Sequence, residues 1–140
     1  MAKKLLLTIL TPERAILTDK EVDSVTIPAF RGEMGVLPGH VSYVAQLKEG
    51  VLNYREGPRK EIFAVLNGFA EIHDNKVLIL AEGAELAREI SEESARQEYQ
   101  KAKEVLAMRG EDLDLDAAQA SLRRAVVLMK VAGIKKNRKP

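Results

Sequence analysis

The sequence has few or none of the residue types on which several functions depend. Its 140 residues include no cysteine and no tryptophan, and only 4% are aromatic. The absence of cysteine excludes disulfides, thiolate metal sites and a cysteine nucleophile. Because aromatic residues are scarce, leucine, isoleucine, valine and alanine must supply the core. The length suffices for one ordinary domain or two small ones.

Long apolar runs are also missing, since no stretch approaches the roughly 18 residues of a membrane-spanning helix. The N-terminal "MAKKLLLTIL" places Lys3 and Lys4 before an apolar patch, as a signal peptide does. The patch is too short, however, and no small-residue cleavage site follows it. We therefore interpret this segment as a first β-strand.

Charge is distributed unevenly along the chain, although the net charge is only +1. Residues 1–86 carry 10 basic and 12 acidic side chains, whereas residues 87–140 carry 12 basic and 9 acidic ones. From Ala117 onward there are seven basic side chains and no acidic one. Such a run indicates either an acidic partner or a solvated face.

The chain up to about Ala81 has the pattern of short β-strands. Eight apolar or β-branched runs are separated by turn residues, and "DN" at Asp74 and Asn75 predicts a tight hairpin. No role is assigned to His73, beside that turn. The predicted strands are "KLLLTIL", "RAILTD", "EVDSVTIP", "VSYVAQL", "VLNYRE", "KEIFAVLN", "GFAEIHD" and "KVLILA".

The remainder has helical periodicity. Ser91 is a suitable N-cap, Gly110 is placed to end a first helix, Asp114 or Asp116 begins a second one, and Gly133 is predicted to end it. The predicted fold is therefore α+β in two parts: an N-terminal antiparallel β-sandwich over residues 1–86, then an antiparallel two-helix hairpin over 87–140. The apolar stripes of the two helices are Ala95, Tyr99, Ala102 and Leu106, then Ala118, Leu122, Ala125, Met129 and Ala132.

Alanine dominates the predicted seam of this hairpin. A buried leucine contributes roughly 1.5–3 kcal/mol and a single methyl group about 0.8 kcal/mol, so the helices should be weakly held. Val126, Val127 and Leu128 lie off the seam and give the second helix additional apolar surface. A weakly held element with spare apolar surface is a candidate for movement.

The segment "RGEMGVLPGH", residues 31–40, contains three glycines, and their spacing matches neither common phosphate-binding motif. Glu33 and His40 have no nucleophile or second carboxylate nearby in sequence, which disfavours an acid–base site. A structural turn explains the glycines but not the apolar "MGVL" between charged residues. A shaped contact surface explains both.

An acidic segment, "EDLDLDAAQAS", resembles the start of a calcium loop because Asp112, Asp114 and Asp116 alternate. The calcium motif requires glycine where Ala117 stands and a final glutamate where Arg123 stands. We interpret the segment as the acidic start of a helix, and we expect no metal site.

The basic run at the C-terminal end has several open interpretations. It suits nucleic acid, an anionic membrane, an acidic protein surface or simply solvent. Interleaved aromatic residues are absent, which is atypical of nucleic-acid binding. The run consists of Arg123, Arg124, Lys130, Lys135, Lys136, Arg138 and Lys139.

Several stretches together resemble the epsilon subunit of bacterial F-type ATP synthase, the counterpart of the mitochondrial delta subunit. The most specific are "GEMGVLPGH" and "NGFAEIHDNKVLILA", and the likeness runs from about Leu5 to Ala132. The resemblance implies a non-catalytic rotor subunit on the cytoplasmic face of the bacterial plasma membrane, attached to the membrane only through its complex.

In this family the sandwich binds the gamma subunit and rests on the c-ring, with the loop that matches residues 31–40 at the ring end. The resemblance thus makes Arg31, Glu33, Met34 and His40 c-ring contact candidates. The family's hairpin folds against the sandwich or extends into the alternating α/β hexamer, where its basic second helix inhibits ATP hydrolysis. Arg123, Arg124 and Lys130 are the corresponding inhibitory candidates.

Some family members bind ATP through I/L-D-x-x-R-A at the start of the first helix. Here the stretch is "ISEESA", which begins at Ile90 and has Ser91 and Ser94 in place of the aspartate and arginine. Glu85 and Arg124 match family positions, whereas a second arginine is replaced by Leu128. We expect ATP binding to be weak or absent and no cofactor to be required.

Two other classes of function remain open from the residues alone. One is a free-standing domain that senses a nucleotide, and the other is a nucleic-acid-binding protein with a basic helical arm. A stable complex with gamma is required only by the rotor hypothesis. Nucleotide binding by the isolated chain would favour the second class, and a steep salt dependence of nucleic-acid affinity the third.

Overall fold

The computed structural model describes residues 3–108, 110 and 114–137, without the side chains of residues 135–137. The chain divides into two compact units, Met1–Leu86 and Ala87–Pro140. The first is a β-sandwich-like sheet and the second is helical. The predicted fold class, a sandwich followed by a helical hairpin, is confirmed.

The first unit contains eight strands, joined in the order β2-β1-β8-β7-β5-β3-β4, with β6 pairing with both β3 and β7. Neighbouring strands are antiparallel except β1 and β8, which run parallel. The strands are β1 (Leu5–Leu10), β2 (Ala15–Val22), β3 (Ser24–Ala29), β4 (Gly32–Val36), β5 (Tyr43–Leu47), β6 (Gly50–Glu56), β7 (Arg59–His73) and β8 (Lys76–Leu86).

Strand β7 is longer than predicted because the expected turn at Asn67 and Gly68 does not interrupt it. The strand pairs with β6 over its first half and with β5 over its second half. Asn67 and Gly68 have φ values of +39° and +143°, conformations that Asn and Gly tolerate best. Strand β7 changes partner from β6 to β5 at these residues without losing its register with β8.

Strand β4 is a second departure, since the sequence analysis treated residues 31–40 as one loop. Residues Gly32–Val36 pair with β3, and only Phe30 and Arg31 form the intervening turn. Val36 is fully buried. An alternating pattern interrupted by Gly35 gave too weak a strand signal to be recognised.

The described core of the first unit is a cluster of side chains from its own strands. Leu5, Leu7 and Ile9 show how it forms, because alternate residues of β1 point inward and are completely buried. The other large buried side chains come from the seven further strands: Val22, Val25, Ile27, Val36, Leu47, Leu52, Phe63, Ile72 and Ile79.

The second unit begins with a 3-10 turn at Ala87–Glu89, followed by α1 (Glu92–Met108) and α2 (Leu115–Asn137). Both predicted caps are present. Ser91 Oγ accepts the Ser94 N–H at 3.2 Å, and Asp114 Oδ1 accepts the Ala117 N–H at 3.1 Å. The cap by Asp114 supports the interpretation of the acidic segment as a helix start. Asp112 lies outside the described residues.

The second helix does not end at Gly133, as predicted, but continues through Asn137. Glycine in a helix costs about 1 kcal/mol relative to alanine, yet it keeps the backbone hydrogen bonds. The basic C-terminal end is thus helical at residues 135–137, while residues 138–140 lie outside the described part.

The two helices pack along the predicted alanine seam. Ala95 and Ala102 of α1, and Ala118, Ala125 and Ala132 of α2, are all buried. The expectation of spare apolar surface on α2 is only partly correct. Val126 is exposed, but Val127 and Leu128 are 7% and 4% exposed. Fewer apolar side chains of this helix therefore face solvent than its sequence indicates.

Candidate functional site

The four c-ring contact candidates lie along one edge of the sheet rather than in a compact loop. Strand β4 is the last strand in the sheet order. Arg31 is exposed in the turn before it and His40 follows it, so the strand separates them. Glu33 points to solvent, whereas Met34 is half-buried and packs against the core. Met34 therefore supports this edge from the inside.

Residues 37–40 form a tight turn. The His40 N–H donates to the Leu37 carbonyl at 3.1 Å, and Gly39 has a φ of +88°. Proline at the second position and glycine with φ near +80° at the third are the signature of a type II turn, here Pro38 and Gly39. Gly39 is thus required by the backbone, which confirms the structural part of the sequence interpretation.

His40 is oriented by its own backbone neighbour. Its Nδ1 lies 2.7 Å from the Val41 carbonyl oxygen. Because a carbonyl only accepts, Nδ1 carries the hydrogen and Nε2 is left to contact a partner. The half-buried ring is held in one orientation, as a recognition residue requires.

The turn between β7 and β8 holds residues 37–42 from the other side. Asn75 Oδ1 accepts the Gly39 N–H at 2.7 Å. Ser42 Oγ lies 3.0 Å from His73 Nδ1, and His73 Nε2 lies 3.1 Å from Asp74 Oδ2. Since a carboxylate accepts, Nε2 donates to Asp74 and Nδ1 accepts the Ser42 hydroxyl. The sequence analysis assigned no role to His73, because residues 31 positions apart carry no local signal of contact.

Ser42 contacts His73, which in turn contacts Asp74, and this order of residue types is also that of a hydrolase triad. In such a triad the serine contacts Nε2 and a buried aspartate contacts Nδ1. Here the two contacts are reversed, and the side chains of His73 and Asp74 are 64% and 82% exposed. An exposed pair of this kind contributes little electrostatic energy. The arrangement suits a structural tie between loops.

A second surface, which we call the outer apolar patch, consists of Phe30, Val44, Phe69 and Leu80. These side chains are 62%, 67%, 55% and 47% exposed. Phe69 stands opposite Leu80 across the β7–β8 pair, and residues in register share one face of the sheet. The sequence analysis missed this patch. The sequence does contain a signal of it, because Phe69 and Leu80 alternate with Ala70 and Ile79, which are buried.

The basic candidates of the helical unit are all exposed. Arg123 and Lys130 are seven residues apart and so share one face of α2. Arg124 is turned toward α1, where it lines a groove of about 380 Å³ with Lys101 and Glu98. The three inhibitory candidates therefore do not form a single cluster. The side chains of the later basic residues lie outside the described part.

The possible nucleotide residues occupy unlike environments. Glu85 is exposed on β8, in the first unit, whereas Ile90 is 5% exposed in the second. Leu128, at the position of a family arginine, is buried. Ser91 is engaged as the cap of α1. Of the family's charged positions, Leu128 is thus apolar and buried, and the Ser91 hydroxyl accepts a backbone N–H of α1, whereas Glu85 and Arg124 keep their charges.

No three histidine, aspartate or glutamate side chains within the described residues are close enough together to hold a metal ion. Neither helix in the described ranges is apolar enough over 18 residues to cross a bilayer.

Comparison with known proteins accounts for nearly the whole chain. Residues 4–87 match the family described as ATP synthase, Delta/Epsilon chain, beta-sandwich domain, and residues 88–133 match the corresponding long alpha-helix domain. The chain belongs to the ATP synthase delta/epsilon family. The resemblance recognised in the sequence is thereby confirmed.

Individual relatives agree with this family. The ATP synthase epsilon chain of Nitratidesulfovibrio vulgaris strain DP4 is 42% identical over 133 residues, which cover 95% of this chain and 98% of that one. That of Symbiobacterium thermophilum is 40% identical over 127 residues, or 91% of each chain. A chain in the Euglena gracilis mitochondrial ATP synthase OSCP/F1/c-ring structure superposes with a TM-score of 0.79 and 27% identity, covering 91% of this chain and 80% of that one.

Proposed function

We propose that this delta/epsilon chain is a non-catalytic rotor subunit that joins gamma to the c-ring and lowers ATP hydrolysis through its helical unit. Family membership supports the assignment to the central stalk. The observation that carries the coupling role is the presence of two different surfaces on one rigid sandwich: the outer apolar patch and the polar β4 edge.

The outer apolar patch is the proposed gamma contact. Large aromatic side chains exposed together on a folded surface mark protein interfaces. Phe69 and Leu80 lie on paired strands with a self-contained core beneath them, so the patch is preformed. A partner with an apolar surface would bury it without any rearrangement of the sheet.

The β4 edge is the proposed c-ring contact. Arg31, Glu33 and His40 offer a cation, an anion and an oriented imidazole before, on and after β4. Polar groups of this kind suit the hydrophilic loops of a membrane ring. Met34 fixes the strand from beneath, because it packs against the core.

Copurification with gamma tests the rotor assignment. The unaltered chain should form a stable complex, whereas Phe69→Ser combined with Leu80→Ser should weaken it by more than tenfold, since about 1 kcal/mol or more is lost for each buried apolar group. Arg59→Ser, an exposed change on β7 ten residues from Phe69, is the matched control. Absence of a gamma complex with the unaltered chain would refute the assignment.

The ring contact is tested by replacing Glu33, Met34 and His40 with alanine together. This variant should weaken ATP synthase assembly or proton coupling while hydrolysis by the soluble catalytic head stays nearly unchanged. A large loss of soluble hydrolysis would contradict the proposed location of the contact.

The inhibitory role of the helices is tested by comparing ATP hydrolysis by the assembled head in the presence of the full chain and of a chain ending at Ala87.

We propose further that the chain binds ATP weakly or not at all. Hydrogen bonds to charged groups contribute roughly 1.5–3 kcal/mol each, and the motif lacks two or three such groups. Binding should therefore be at least about a hundredfold weaker than in a member with the full motif. Calorimetric titration without Mg²⁺ measures this directly. A dissociation constant in the low micromolar range would revive the nucleotide-sensing alternative.

The proposed role also fixes the location and the partners. The chain would lie at the cytoplasmic face of the bacterial plasma membrane, held there by gamma and the c-ring, with the α/β hexamer as the partner of its helices. This role does not involve binding to nucleic acid. An affinity for DNA that fell by several logarithmic units per logarithm of salt would argue for the basic-arm alternative instead.

A further inference from the structure

Residues 37–42 adjoin the proposed ring contact but have few ties to the sheet through their own backbone. Leu37, Val41 and Ser42 are exposed, and the segment lies between β4 and β5. Its internal restraint is the type II turn closed by His40. A loop of six residues with a single such turn needs external support to hold His40 in one place.

That support comes from the turn between β7 and β8. Asp74 and Asn75 are its central residues, and both have positive φ, +48° and +60°, as a two-residue type I′ hairpin requires. The turn is itself anchored, because the Asn75 carbonyl accepts the Leu6 N–H of β1 at 2.9 Å. Asn75 therefore connects two fixed strands and presents its side chain outward from them.

The side chain of Asn75 reaches the middle of the neighbouring turn. Its Oδ1 accepts the Gly39 N–H at 2.7 Å, across 36 residues of sequence. Ser42 and His73 form a second tie at the far end of the same loop, at 3.0 Å. Two ties bracket His40 on either side and so fix its position relative to β7 and β8.

We infer that Asn75 is a positioning residue for the proposed ring contact, because its side chain holds the turn that carries His40. The inference rests on the proposed function, and it adds a residue outside the 31–40 segment to that site. Asn75 serves two separable purposes, a backbone conformation with positive φ and a hydrogen-bond acceptor. Substitutions can remove one without the other.

Three variants of the full chain test this inference, and two of them separate the purposes of Asn75. Asn75→Gly keeps the positive φ and removes the acceptor. Asn75→Asp keeps both, since aspartate also tolerates this conformation. Ser42→Ala removes the second tie only. The first measurement is the amide exchange rate of Gly39, which should rise about two- to tenfold in Asn75→Gly, the range expected for one net hydrogen bond, and return toward the original rate in Asn75→Asp.

The second measurement is affinity for a gamma–c-ring assembly compared with affinity for the soluble head that contains gamma alone. Asn75→Gly should weaken binding to the assembly by about two- to tenfold and leave binding to the head unchanged. Asn75→Asp should restore it. A merely structural role would lower both affinities together, and that result would overturn the inference, as would an unchanged Gly39 exchange rate.

The triple alanine variant of Glu33, Met34 and His40 separates the failure of this inference from that of the proposed function. If the triple variant loses ring affinity and Asn75→Gly does not, the ring contact stands and Asn75 does not position it. If neither variant loses ring affinity, the ring contact itself is refuted, and the positioning role with it.

Discussion

At the scale of single residues, backbone conformation explains why aspartate or asparagine occupies several positions. The non-glycine residues with positive φ in the described part are all aspartate or asparagine: Asp19, Asn67, Asp74 and Asn75. Their short polar side chains tolerate the left-handed region better than other residues do. Two of them form the β7–β8 turn, and a third, Asn67, lies where β7 changes partner from β6 to β5. The aspartate or asparagine at each of these positions is therefore explained by the backbone conformation there.

Gly68 provides the sharpest single-residue prediction. Its φ is +143°, and an added Cβ would overlap the Leu80 carbonyl oxygen and lie 2.9 Å from Ala81 Cα. Because both neighbours are backbone atoms of β8, neither can move aside cheaply. Gly68→Ala should lower the free energy of unfolding by about 3 kcal/mol or more, measured by urea denaturation.

Gly35→Ala is the matched control for this change. Gly35 also lies in a strand, but nothing is within 4 Å of an added Cβ and its φ is not in the strained range. The control should alter stability by no more than about 1 kcal/mol, in the stabilising direction. Equal losses in the two variants would show that close approach to β8 is not what requires Gly68.

The interactions of Asp23 predict that the free energy of unfolding depends on pH. It forms an ion pair with Lys4 and accepts the Gly57 N–H at 2.6 Å. The hydrogen bond from Lys4, and then that from Gly57, hold the pKa of Asp23 below its usual value. A depressed folded-state pKa stabilises the protein above the unfolded-state pKa, and this contribution is lost as the pH falls through the folded-state value.

The measurement compares Asp23→Asn with the original chain by urea denaturation across pH. The variant should be less stable at neutral pH by a constant amount, and the difference should shrink below about pH 4, near the ordinary aspartate pKa. In a Lys4→Gln background the pH-dependent part should be smaller, because the first cause of the shift is gone. A difference that stays constant down to pH 2 would exclude Asp23 as its source.

At the scale of elements, sequence periodicity identified the elements that pack locally. Seven of the eight strands, both helices and both helix caps follow from alternation, stripes and cap residues. The misplaced boundaries at Gly35, at Asn67 and Gly68, and at Gly133 involve glycine or asparagine, whose local preference for a turn was overridden by pairing or helix continuation. The contact candidates on β4 could be named from a familiar motif, but their support by Asn75 and His73 requires knowledge of which distant turns meet.

The alanine seam of the helices predicts a difference in stability between elements. Each buried alanine contributes about as much as one methyl group, whereas the sandwich buries leucine, isoleucine, valine and phenylalanine. Val127, Leu128 and Val131 are also buried, so the helices should retain measurable protection. Amide exchange should nevertheless show α1 and α2 opening at a lower free energy than β1, β7 and β8. Equal protection in all five elements would refute this expectation.

At the scale of the whole molecule, two units of opposite net charge perform the proposed separate tasks. Residues 1–86 carry a net charge of −2 and residues 87–140 one of +3. The described residues of the core cluster lie within residues 1–86, so the chain ending at Leu86 should fold alone. In the proposed role, a sandwich with its own core would keep its place in the complex while the helices change theirs, and inhibition would be regulated without loss of coupling.

The charge of α2 should determine how strongly the helical unit inhibits hydrolysis, if its partner is acidic. Reversing Arg123, Arg124 and Lys130 to glutamate should relieve inhibition and remove its dependence on salt. Exposed ion pairs contribute about 0.2–1 kcal/mol each, and reversal replaces attraction by repulsion, so three changes should shift the balance by a few kcal/mol. Hydrolysis by the assembled head at low and high salt measures this.

The matched control reverses Arg96, Lys101 and Lys103, three exposed cations of α1, which changes net charge equally and should leave inhibition largely intact. If both variants lose inhibition alike, overall charge rather than the face of α2 governs the contact. If the α2 variant inhibits as strongly as the original chain, charge does not position this helix, and the buried apolar residues of α2 become the candidates for the inhibitory contact.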